Sequence, residues 1–247
     1  MFKTRETARS KPPTIFTTFF LIKKLYYILY KENQKNQMKT ERLIVGQLQT
    51  NCYLVWDKTT GEGIIIDPGD DAEYIISRIK DLEIKPQMIL ATHGHFDHVL
   101  AVFELKLAFK IPFLIHHHDL FLLKRADKTA DWFAGIKDGF VPSADGFLKE
   151  SEKISFGQNS QLKVIETPGH SPGGVAFFSR GVVFSGDTLF KQGVGRTDFS
   201  YCSQTDLINS IKNKLFKLPN ETIVYPGHGE ETTIGKEKKN FNLITKA

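Results

Sequence analysis

The 247-residue chain is 40% hydrophobic and 12% aromatic, enough for an α/β core and against a disordered chain. Its net charge of +5 would point to a nucleic-acid or membrane partner if it lay on the domain, but residues 1–37 hold eight Lys/Arg against two Glu, which leaves −1 for the other 210 residues. No nucleic-acid partner is therefore expected, and two cysteines, Cys52 and Cys202, fall short of a disulfide framework and fit a reducing, cytoplasmic setting.

The first segment carries "TIFTTFFLIKKLYYILY", an apolar run interrupted by Lys23 and Lys24. Its uninterrupted parts are well short of the ~20 residues that cross a bilayer, and no small-residue cleavage site follows. Residues 1–37 read as an extension outside the fold, with translation expected to start at Met38 and contact with a membrane surface as the alternative role.

From Arg42 the pattern becomes β-rich. Strands are expected at 42–48, 52–56 and 63–67, the third closed by a turn at Asp67-Pro68-Gly69. Ile75, Ile76 and Ile79 share one face of a helix over 71–81. A short strand at 87–90 runs into "THGHFDH", residues 92–98. Beyond it come a helix over 99–109, a strand at 113–115, a helix around 118–125 and an irregular stretch from 126 to 146. Strands at 161–166, 175–179 and 182–185, a helix over 204–216 and a strand at 222–225 complete the order. Mixed strands with helices in each half predict two sheets packed together with helices outside, in one domain spanning residues 38–247.

Three of the chain's eight histidines fall within seven positions. A loop that follows a strand points alternate side chains at one centre, so His93 and His95 suit one metal ion, while the adjacent Asp97 and His98 can face a second. His170 in "TPGHSPGG", Asp187 in "FSGDTLF" and His228 in "YPGHGEE" also follow strands, the first and last within stiff Pro/Gly turns. Asp187 is a carboxylate able to bridge two ions. His116, His117 and His118 are three adjacent rings that point in different directions, and they are assigned to the surface and a helix start.

Together with "QTNCYLVWD", "IIIDPGD", "GVGRTDF" and "TTIGKEKKN", these motifs resemble the metallo-β-lactamase superfamily over about residues 41–245, and more narrowly its short glyoxalase II-like (hydroxyacylglutathione hydrolase-like) branch. The resemblance implies the αββα fold with a dinuclear site in the groove at one edge. It assigns His93, His95 and His170 to a first ion, Asp97, His98 and His228 to a second, and Asp187 to both. The ions implied are zinc, with iron or manganese as alternatives. It further implies hydrolysis of a small-molecule thioester of the hydroxyacylglutathione type by a metal-bridging hydroxide that Asp97 orients, without a Ser or Cys nucleophile. Nineteen residues follow His228, too few for the helical region with which glyoxalase II enzymes grip glutathione, so the thiol carrier stays open, as does the oligomeric state. The rival readings are a single-iron persulfide dioxygenase, which shares "GRTDF", and a nuclease of the same superfamily. Arg196 and Asp198 are expected to pair and brace the loop after Asp187. Cysteine is common at the Asp187 position in the family's β-lactamases, so antibiotic hydrolysis is not expected.

Overall fold

The computed structural model describes residues 38–137 and 143–244; the proposed extension lies outside them. The chain builds β1 (Met38–Val45), β2 (Thr50–Asp57), β3 (Glu62–Ile66), α1 (Ala72–Asp81), β4 (Lys85–Leu90), α2 (Val102–Phe109), β5 (Phe113–His116), α3 (Leu120–Leu123), α4 (Ala126–Ala134) and β6 (Gly146–Leu148). It continues with β7 (Lys153–Phe156), β8 (Ser160–Glu166), β9 (Val175–Ser179), β10 (Val182–Gly186), β11 (Leu189–Phe190), β12 (Gly193–Val194), α5 (Gln204–Asn213), β13 (Ile223–Pro226), β14 (Thr232–Thr233) and α6 (Ile234–Ile244). One six-stranded sheet has the order β1-β2-β3-β4-β5-β6 and the other β14-β13-β10-β9-β8-β7. Both are mixed: β3 to β6 run parallel beside the antiparallel β1-β2-β3, and β10 pairs in parallel with β13 in an otherwise antiparallel sheet.

The layering follows from strand alternation. Every residue of β2 is buried, because one face meets helices and the other meets the second sheet. Cys52, Leu54 and Trp56 join Ile75, Ile79, Val102 and Leu105 in an outer cluster under α1 and α2. Tyr53 and Val55 point the other way, into the seam between the sheets with Phe156, Phe177 and Phe184. A third cluster packs Ala176, Val183 and Val224 against Leu207 and Ile211 of α5. Helix, sheet, sheet, helix is thus the order of layers, as expected. Both cysteines are free thiols. No helix among the described residues is long and apolar enough to cross a membrane.

Two expectations fail. The stretch from 126 to 146 is not wholly irregular: residues 126–134 are α4, which buries Ala126 and Ala130, and β6 begins at Gly146. His116 is not at the surface but 4% exposed, its Nε2 hydrogen-bonded to Glu166 at 3.2 Å, whereas His117 and His118 are exposed. β5 ends on His116, and the pleat turns that ring inward.

Candidate metal centre

Four strand ends meet at one edge of the sandwich. His93 and His95 follow β4, Asp97 and His98 lie on a single 3₁₀ turn (Phe96–His98), His170 lies between β8 and β9, Asp187 follows β10, and His228 follows β13. A bulge at the end of β10, where Phe184 faces Tyr225 and Gly186 faces Pro226, re-aims the chain just before Asp187. Glycines let these loops close on one another. A Cβ on Gly227 would stand 2.1 Å from Asp187 Oδ1 and 2.8 Å from His98 Cε1, and one on Gly69 would stand 1.8 Å from the Asp97 carbonyl oxygen.

All seven expected residues converge. His95 Nδ1 lies 2.9 Å from His93 Nε2 and 3.0 Å from His170 Nε2. His228 Nε2 lies 3.3 Å from Asp97 Oδ2, and His98 Nε2 lies 3.7 Å from that same oxygen. The Asp187 carboxylate sits between, with Oδ1 3.5 Å from His98 Nε2 and Oδ2 3.6 Å from His170 Nε2 and 3.8 Å from His228 Nε2. Three overlapping groups result, each with its donor atoms within 4.8 Å of one another: His93, His95 and His170; His93, His98 and Asp187; and Asp97, His98 and His228.

The far side of each ring fixes which nitrogen carries the proton. His170 Nδ1 faces the Arg196 carbonyl oxygen at 2.9 Å, and His228 Nδ1 faces that of Leu48 at 3.1 Å. A carbonyl only accepts, so each Nδ1 donates and each neutral ring turns the Nε2 lone pair inward. His93 Nδ1 is 3.1 Å from Thr92 Oγ1, whose own proton goes to Asp67 Oδ2 at 2.7 Å, so this ring also turns a lone pair inward. Two inward lone pairs thus face the single Nδ1 of His95. His98 is fully buried with neither ring nitrogen aligned in a hydrogen bond, and Asp187 Oδ1 is likewise buried without a partner. Such orphaned polar atoms are costly in a protein interior, and a convergent set of imidazoles and carboxylates is the donor chemistry that suits borderline divalent ions. The residues fit bound cations.

Electrostatics agree. Burial, then the neighbouring histidines, pushes His93 well below the usual imidazole range. Burial and His170 push His95 down to about 3. For His98 burial acts downward, but Asp97, Asp187 and Asp67 outweigh it and hold the ring up to about 10; the same contest, led by Asp97 after burial, raises His228. Burial works to raise Asp97, yet His98 and His228 dominate and keep its carboxyl well below the usual range. For His98 the contest therefore favours the protonated ring.

Several functional residues escaped the sequence reading. Asp67 looked like a turn former, yet its buried carboxylate accepts from Thr92 N at 2.6 Å and Thr92 Oγ1 at 2.7 Å and stands 3.1 Å from His98 Nδ1, so it orients His98 directly and His93 through Thr92. Asn51 Nδ2 donates to the carbonyls of Pro226 and Gly229, both at 2.9 Å, and Tyr53 Oη donates to that of Pro226 at 2.7 Å, which ties the His228 loop to β2. Asp119, buried at the end of "HHHD", accepts from Gly94 N, Ser171 Oγ and Gly173 N and so joins the His93 loop to the His170 loop. Tyr201 Oη lies 2.8 Å from His95 Nε2. The expected Arg196–Asp198 pair forms, bidentate at 2.6 Å, with both side chains more than half exposed.

The cluster forms the floor of a cleft of about 740 Å³ whose walls include Leu48, Leu122, Phe133, Phe190, Phe199 and Tyr201.

Comparison with known proteins places this geometry. Hydroxyacylglutathione hydrolase GloC of Haemophilus influenzae is 38% identical over 207 residues, which cover 82% of this chain and 96% of that one. The crystal structure of the BLEG-1 B3 metallo-β-lactamase matches with a TM-score of 0.77 at 37% identity, covering 84% of this chain and 100% of that one. The structure of TTHA1623 in a di-iron-bound form matches with a TM-score of 0.73 at 40% identity, covering 81% and 97%. The family model described as Metallo-beta-lactamase superfamily matches residues 45–228, from the last residue of β1 to the last of the converging histidines. With that match, and with two mixed sheets that bring five imidazoles and two carboxylates to one edge, the chain belongs to the metallo-β-lactamase superfamily, a family of metal-dependent hydrolases.

Proposed function

We propose that the protein is a dinuclear thioesterase acting on small acyl thioesters of the hydroxyacylglutathione type. The observation that carries the dinuclear part is the pair of separate donor groups, His93-His95-His170 and Asp97-His98-His228, with Asp187 in reach of both. A single-iron reading leaves the second group, with its fully buried His98, unused. Zinc suits these donors, and iron is the alternative that the di-iron form of TTHA1623 supports. The thioester part rests on the likeness to the hydrolase GloC.

Divalent ions held there supply Lewis acidity and lower the pKa of a coordinated water. The chain's own residues do the rest. Asp97 stays ionised and acceptor-only, steadied by the Thr50 hydroxyl 3.3 Å from Oδ2, and so can orient an attacking water. Backbone carbonyls and Asp67 hold the rings from behind. The apolar walls keep bulk water from the acyl group and strengthen electrostatics at the floor. No side-chain nucleophile competes: the Cys202 thiol points at the His170 carbonyl, 2.9 Å away, and burial pushes its pKa up.

The test is turnover of S-lactoylglutathione, acetyl thioesters of smaller thiols and a β-lactam, the last because BLEG-1 bears a β-lactamase name. Thioester cleavage by the metal-loaded protein, with Asp97→Ala and His95→Ala folded but inactive, is the expected result. Full activity of either variant would overturn the reading.

A further inference from the structure

The residue the metal cluster does not absorb is Tyr201. Tyr201 lines the cleft, and His95 Nε2, 2.8 Å away, is the one hydrogen-bond partner of its hydroxyl among the described residues. The ring is fixed: it stacks on Phe199 at 5.4 Å and 19°, meets Phe121 edge-on at 5.4 Å, and sits beside the Ser203 cap of α5, whose N–H donates to the Gly169 carbonyl at 2.8 Å.

His95 differs from the other four rings of the cluster in turning Nδ1, not Nε2, to its neighbours. If Nδ1 gives its lone pair to a cation, as the proposed function requires, a neutral imidazole carries its proton on Nε2 and donates it to Tyr201 Oη. The phenolic proton then has no protein acceptor and is left for whatever occupies the cleft. We propose that Tyr201 is a substrate-contacting residue that donates a hydrogen bond to the acyl oxygen, and that His95, a candidate ligand, is also the group that orients this donor. The hydrogen bond strengthens as negative charge builds on the oxygen during attack, and no proton is transferred.

The inference rests on the thioesterase reading, and the test separates the two. Wild type and Tyr201→Phe are compared for metal content and affinity, for kcat and KM on the thioester panel, and for binding of D-lactate, the carboxylate product of S-lactoylglutathione, by calorimetric titration. Tyr201→Phe should keep its metal, lose roughly tenfold to a hundredfold in kcat with little change in KM, and bind lactate several-fold more weakly. Unchanged kcat and lactate affinity would refute the donor role. A drop in metal affinity that accounts for the lost activity would refute it too, since Tyr201 would then act only by orienting His95. If wild type cleaves no thioester, the function reading fails and the lactate titration alone decides for or against Tyr201.

Discussion

Asp67→Asn is the most revealing substitution away from the seven candidate ligands. Asp67 adopts a left-handed backbone, φ 51°, which Asn tolerates nearly as well as Asp and Ala does not, so the change isolates the charge. The carboxylate accepts two hydrogen bonds from Thr92, at 2.6 and 2.7 Å, while 1% exposed. The amide keeps one acceptor oxygen and turns its N–H₂ either at the Thr92 backbone N–H or at the Thr92 hydroxyl and His98 Nδ1, which share Oδ2. One buried bond to a charged acceptor is lost, about 1.5–3 kcal/mol. His98 loses its rear partner, and His93 loses the fixed hydroxyl behind it. Losing such a rear partner typically weakens metal binding by roughly 10–100-fold, which at about 1.4 kcal/mol per decade is the same size as the lost bond. Competition with a chromophoric chelator measures the affinity, and urea denaturation of the chelator-stripped protein measures the stability. A variant that holds its metals within twofold of wild type would refute the claim that Asp67 orients two of the rings.

Asn51→Ala removes both side-chain bonds to the Pro226 and Gly229 carbonyls, so it should destabilise the fold by about 1–3 kcal/mol and release the ion on the His228 side first; metal content after dialysis against weak chelator reads this out. Metal uptake at pH 7 should release a proton, because His98, held up to about 10, is charged without metal, whereas the lowered His93 and His95 release none; titration in buffers of differing ionisation enthalpy counts it. Affinity should accordingly rise with pH. The metal-free protein should behave in the opposite sense. The folded pKa of His98 lies above its unfolded value of about 6.5, so its contribution is complete below that pH and fades as pH climbs through about 10, visible as a falling urea midpoint.

The site was legible because its donors lie at strand ends in short motifs of unusual composition. A loop such as "THGHFDH" has few structural uses for three histidines, and the Pro/Gly turns around His170 and His228 announce stiff loops. What supports the site was hidden by chemistry that serves two purposes. Asp67 precedes Pro-Gly and so reads as a turn residue; only the fold shows its carboxylate behind two rings. Asn51 and Tyr53 reach partners some 175 residues away, which no local pattern encodes. α4 buries alanines, whose short side chains leave a faint helical period, and α6 is rich in Lys and Asn. β7 was there to be found, since "KISF" alternates exposed and buried in strand fashion.

The most direct test of the paired-cation site is elemental analysis of the purified protein alongside thioester turnover before and after chelation. The expected result is two divalent ions per chain, activity lost on stripping and regained on adding metal back. Full turnover by a folded protein holding no metal, or no more than one ion at saturation, would contradict it.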